Sequence, residues 1–149
     1  MAIADKEIMI KTPPEKIFNF VLKPSNLLQI WPSLIDIKNE RLLPNGGYSA
    51  KWMYKMGGIQ FHGASEVIDI YPNCWFTSAT RGAVESTITW TFRSKENQTR
   101  VTLTVDYRVP LTIIGRLTEI IVMKMNDKEA ELVLDNLRSK LEENQRLSP

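Results

Sequence analysis

The chain has 149 residues, a formal net charge of +2, 43% hydrophobic residues and 24% charged residues. This composition fits one globular domain with a real core and excludes a disordered chain. Lys and Arg are interspersed with Asp and Glu in no block of like charge, which argues against nucleic acid as the main partner.

No apolar run reaches the ~18 residues of a membrane span. The segment Met1 to Lys11 carries acidic residues and no long apolar stretch, unlike a signal peptide. The single cysteine, Cys74, allows no intramolecular disulfide and points to a reducing, cytoplasmic setting.

In chain order, Ala2 to Lys11 predicts a first strand with imperfect alternation. Thr12-Pro13-Pro14-Glu15 predicts a helix start, with Thr12 as cap, Pro13 at the first helical position and Glu15 completing a capping box. Ile17, Phe18, Phe20 and Val21 form its apolar side, and Pro24 ends it. Ser25 is expected to cap a second short helix that closes at Trp31-Pro32.

From Ile35 the period changes to two. Strands are expected over Ile35 to Leu43, Tyr48 to Met56, Ile59 to Tyr71, Cys74 to Thr80, the region of Ile88, Trp90 and Phe92, and Val101 to Val109. Pro44-Asn45-Gly46-Gly47, Gly57-Gly58, Pro72-Asn73, Arg81-Gly82 and the polar Ser94 to Gln98 supply the turns. A change of parity in the fourth strand predicts a bulge or sharp bend near Gly63.

Leu111 to Gln145 then predicts one long helix capped by Thr112. At 1.5 Å per residue its length is ~45 Å. Ile120, Met123, Ala130, Leu134, Leu137 and Leu141 fall on one stripe, with Asp127 inside it. Such a helix needs a large apolar surface, and the antiparallel meander upstream is the surface available.

This order of elements resembles the START-like superfamily, the SRPBCC or helix-grip group that includes polyketide cyclases/dehydrases and coenzyme-Q-binding proteins. The resemblance covers essentially the whole chain. It is carried by Thr12-Pro13-Pro14-Glu15-Lys16-Ile17-Phe18, Trp31-Pro32, Asn45-Gly46-Gly47-Tyr48 and the terminal helix after Pro110. It implies an α+β, β-α-α-β6-α architecture: a curved seven-stranded antiparallel sheet wrapped around a long C-terminal helix, with a ligand cavity between them. Members of the group bind lipids, quinones, polyketides or hormones, and some catalyse cyclisation or dehydration. No motif here selects one branch.

The candidate ligand-binding residues are Trp52, Tyr54, Phe61, Trp75, Trp90, Tyr107, Met123 and Asp127. The rings would line whatever space the helix leaves on a concave sheet, although any one of them could be ordinary core packing. Asp127 on the helix stripe is the candidate acid or base if it faces the cavity, whereas a small rotation would bring it to the rim and an ion pair. His62, next to an inward Phe61, is expected to point outward. Its alternation with Glu66 and Asp69 does not suit a metal site. Cys74 reads as a buried, inert thiol. No phosphate loop or hydrolase motif is present, and neither cofactor nor metal is expected.

The first functional reading is therefore a module that binds a small hydrophobic ligand, without catalysis. The alternatives are a cyclase, aromatase or dehydratase using Asp127 and a tyrosine, or a protein-interaction role. The last would use the apolar start of the long helix, with a partner or second copy meeting Leu117, Ile120 and Ile121.

Overall fold

The computed structural model describes residues 2–56, 58–82, 84–108 and 119–147. Among them, β1 (Ala2–Ile10) is followed by α1 (Pro14–Leu22) and α2 (Pro24–Leu27). The strands β2 (Leu34–Leu42), β3 (Tyr48–Met56), β4 (Ile59–Tyr71), β5 (Trp75–Gly82), β6 (Glu85–Lys95) and β7 (Gln98–Arg108) come next, then α3 (Glu119–Leu147). The seven described strands form one antiparallel sheet in the order β1-β7-β6-β5-β4-β3-β2. Five tight connections set the order from β2 to β7, and β1 closes onto β7 because the helical segment after it carries the chain to the far edge.

Burial alternates along the strands as a one-faced sheet requires. In β7, Val101, Leu103, Val105 and Tyr107 are buried while Thr102, Thr104 and Asp106 lie nearer solvent. The predicted parity change in β4 is real, but it sits at a register shift between Val67 and Asp69 and not at Gly63. That shift leaves Val67 buried and Ile68 on the surface. Gly63 pairs regularly with Trp52, and it is glycine because an added Cβ would lie 2.4 Å from the Trp52 ring and 2.3 Å from the Arg81 carbonyl oxygen. In β2, a shift between Leu34 and Asp36 turns both Leu34 and Ile37 to the concave side and leaves Ile35 exposed.

The start of α1 differs from the sequence expectation. Its N-cap is Pro13, Pro14 occupies the first turn, and no side chain caps it. Thr12 is pulled into the core instead: it is 2% exposed, its carbonyl accepts a 2.6 Å hydrogen bond from Thr99 Oγ1, and its own hydroxyl finds no partner among the described residues. Ser25 is likewise not a cap. Pro24 opens α2 after Lys23, and the Ser25 N–H donates to Glu40. Cys74, expected to be buried, is exposed in the β4–β5 turn.

The core is densest under α1 and α3. Phe18 meets Phe76 and Phe92 edge-on at 5.8 Å, and Ile10, Ile17, Val101, Leu103, Val133 and Leu137 lose essentially all contact with water. The stripe Ala130, Val133, Leu134, Leu137 and Leu141 seats α3 on β1 and, less extensively, on β7. Among the described residues the helix lies against β1 and β7, whereas α2 lies against β2 and β3 and α1 against β6. The predicted Thr112 cap and the apolar Leu111 to Leu117 lie outside the described residues.

Candidate ligand cavity

That uneven cover leaves a hollow of about 150 Å³ between the sheet and the short helices. An apolar cavity of this order takes up a single benzene ring. Its wall is largely apolar: Leu27, Trp31, Leu34, Ile37, Val67, Phe76 and Ile88 contribute, together with the end of α1.

Of the sequence candidates, Trp52, Tyr54, Phe61, Trp90 and Tyr107 all stand on this wall. Strand geometry explains the cluster. Trp52 and Tyr54 are two apart on β3 and so share a face, and Phe61 is the register partner of Tyr54 on β4. Their ring centroids are 4.7 Å (Trp52 to Tyr54) and 5.3 Å (Tyr54 to Phe61) apart. Trp75 does not join them. Its neighbour Phe76 is buried on the concave face, so alternation sends Trp75 to the other side of the sheet. His62 is exposed beside the buried Phe61. Of Met123, Ile120 and Ile121 only the helical backbone is described, and Leu117 lies outside the described residues.

Asp127 is exposed and does not line the hollow; the carboxyl that does is Glu129. The α3 stripe does not decide between them: with the buried Val133 included, Asp127 still falls ~60° to one side of its centre and Glu129 ~100° to the other, at ~100° per residue, and what differs is the element that each flank faces. The first flank faces the β1 edge, where Glu131 pairs with Lys6 at 3.1 Å and the Asp127 charge is felt by Lys6. The second faces α2 and the loop after it, where Asn136 Nδ2 donates to the Ile30 carbonyl at 3.0 Å.

Glu129 is held by the backbone N–H and the hydroxyl of Ser33, and by the Trp31 side chain. Burial raises its pKa above the ordinary carboxylate value, and these hydrogen bonds offset part of that rise. Burial, with a smaller contribution from the Glu129 charge, raises the Tyr54 phenol so far that it stays protonated at any ordinary pH.

A raised carboxyl pKa means that the folded state holds the proton more tightly than the unfolded chain does. The stabilisation is therefore complete below about pH 4.5, the ordinary value, and is lost as pH rises through the folded value. Glu129→Gln, uncharged throughout, should accordingly gain in melting temperature relative to the parent as pH rises from 4.5 to 7.5. Thermal melts across that range check it, and a flat difference would mean that the carboxyl is effectively in water.

Two further polar features belong to the wall. The Trp52 indole N–H is buried in the wall with no hydrogen-bond partner among the described residues. Across the floor, Ser65 pairs in register with Thr80, Thr80 with Ser86 and Ser86 with Tyr107, so four hydroxyl side chains form a row over β4 to β7. Thr80 and Ser86 already bond each other. Among the described residues no His, Cys, Asp and Glu side chains gather as a metal site would need, and no helix is long and apolar enough to cross a membrane.

A sheet gripping a terminal helix around a hollow defines a helix-grip, START-like fold. Residues 1–142 match the family described as polyketide cyclase/dehydrase and lipid transport, and the chain belongs to that family. Solved structures agree on the fold. A START superfamily protein from Mycobacterium smegmatis superposes with a TM-score of 0.80 at 13% identity, covering 96% of this chain and 99% of that one. A Thermus thermophilus protein gives 0.77 at 20% identity, over 92% and 94% of the two chains. The Zhui aromatase/cyclase from a Streptomyces species gives 0.76 at 14% identity, over 94% and 93%. A search of curated protein sequences found no match.

Proposed function

We propose that this protein binds a small hydrophobic molecule, lipid-, quinone- or polyketide-like, in the hollow between its sheet and helices. The observation that carries the reading is the contrast within one interior: a solid core under α1 and α3, and beside it a ring-lined space of about 150 Å³. Voids of that size are rare in well-packed domains, and each costs stability unless something uses it. Burial of apolar surface at roughly 25 cal/mol per Å² would supply most of the affinity. A single exposed cysteine fits a reducing cytoplasm as the place of action.

Native mass spectrometry of protein purified from its own host tests this. A bound small molecule, lost on extraction with organic solvent, is the expected result. Added ligands of the same class should also shift the tryptophan emission, because Trp52 and Trp90 both face the hollow. Neither a retained molecule nor an emission change across a panel of hydrophobic compounds would remove the proposal.

One observation favours a second, enzymatic reading, cyclisation or dehydration. Two titratable groups, Glu129 and Tyr54, face the same space, and the Glu129 charge adds to the effect of burial on the Tyr54 phenol. On that reading Glu129 replaces Asp127 as the acid or base, and a Glu129→Gln variant should bind substrate and fail to turn it over.

A further inference from the structure

The ligand-binding reading leaves open what kind of head group the hollow accepts, and its polar wall carries information on that point. Glu129 is the one carboxyl among the described lining residues. Three protein donors already converge on it, the Ser33 N–H, the Ser33 hydroxyl and the Trp31 side chain. A carboxylate offers about four acceptor positions, so one more donor can be received. No Lys or Arg side chain lines the hollow among the described residues. A ligand carboxylate or phosphate brought there would meet a like charge in a low-dielectric space with no cation to compensate it.

The Trp52 N–H supplies the complement. It is a donor in an 8%-exposed side chain, left without an acceptor by the protein. Leaving a buried donor unmade is costly, and a ligand oxygen that accepts from it recovers that cost. The row Ser65, Thr80, Ser86 and Tyr107 adds hydroxyls that can serve in either direction.

We propose that Glu129 and Trp52 together make the cavity selective for a neutral, hydroxylated ring or short chain, with Glu129 taking the ligand's O–H, Trp52 giving its N–H to a ligand oxygen, and anionic ligands such as fatty acids rejected. This rests on the ligand-binding reading above and makes Glu129 the specificity-determining side chain. The size of the hollow sets the scale of the recognised part: one aromatic ring with a short substituent.

The test uses three probes with one apolar body: propylbenzene, 4-propylphenol and 4-propylbenzoate, titrated calorimetrically at pH 7.5. In the parent protein the phenol should bind tightest, at least about tenfold tighter than the benzoate, in keeping with the cost of burying an uncompensated like charge. In Glu129→Gln the phenol-to-benzoate ratio should fall to roughly threefold or less, chiefly because the benzoate tightens. Trp52→Phe keeps an aromatic ring and removes the N–H, so it should weaken the phenol relative to propylbenzene. Each readout is a ratio between ligands on one folded variant, so a general loss of stability cannot imitate it.

A benzoate that binds the parent as well as the phenol does, or a ratio unchanged in Glu129→Gln, would overturn the selectivity while leaving the hydrophobic cavity standing. Failure of all three probes, propylbenzene included, would take the cavity reading down with it.

Discussion

Leu137→Ala should lower the unfolding free energy by about 2–5 kcal/mol, the range for truncating a fully buried leucine in a core that cannot close over the gap. For a domain of this size that corresponds to a fall in melting temperature of roughly 5–15 °C. Leu137 has 0% exposure and sits between Leu134 and Leu141 on the stripe that holds α3 to β1 and β7. The buried cluster it belongs to draws on both layers, on the sheet through Val101 and Leu103 and on the helix through Val133, and interiors of this kind are close-packed. Asp127→Ala on the same helix is the control. Asp127 is exposed, and its loss should change stability by no more than about 0.5 kcal/mol. Leu137 does not line the hollow, so at a temperature where the variant is folded its affinity for a hydrophobic ligand should stay within about twofold of the parent. Denaturant titration and calorimetry on the three proteins separate the two roles of the interior, holding the fold and holding a ligand.

The architecture was legible because it rests on signals read over many residues. Seven alternating runs, turns rich in Gly, Pro and Asn, and a stripe at 3.6-residue spacing each repeat the same instruction several times, so one misread residue does not change the outcome. Single-residue features depend on neighbours the sequence does not show. Thr12 has the right type and position for a cap, yet a contact with Thr99, 87 residues away in sequence, draws it inward. The bulge was visible as a change of parity, but whether it falls at Gly63 or at Ile68 depends on the β5 register.

The site divides in the same way. Trp52, Tyr54, Phe61, Trp90 and Tyr107 could be placed on the concave face from strand parity alone. Glu129 could not be separated from Asp127, because the buried stripe of α3 lies between them and only the elements packed on each flank decide which carboxyl meets the hollow. The hydroxyl row was invisible because Ser65, Thr80, Ser86 and Tyr107 come from four strands and meet only through register.

Gly63→Ala should cost about 1–3 kcal/mol or more and should damage ligand binding in the molecules that still fold. The reason is two close approaches to one missing methyl group. A Cβ at Gly63 would lie 2.3 Å from the Arg81 carbonyl oxygen and 2.4 Å from Cζ2 of Trp52. The indole can be pushed aside, and the space open to it is the hollow itself, so relief of that clash should fill the ligand site with protein. The Arg81 carbonyl is backbone next to Gly82, the partner of Gly63, and it can move only by loosening the β4–β5 pairing. The two contributions can be separated with Trp52→Phe, whose smaller ring lacks the atoms in conflict. In a double-mutant cycle the pair Gly63→Ala and Trp52→Phe should be less destabilising than the sum of the single changes by roughly 0.5–3 kcal/mol, the range for residues in direct contact. What remains of the Gly63→Ala cost in the Trp52→Phe background then measures the strain on β5. Strict additivity would mean that the ring never blocked the methyl group, and that Gly63 is required by the sheet alone.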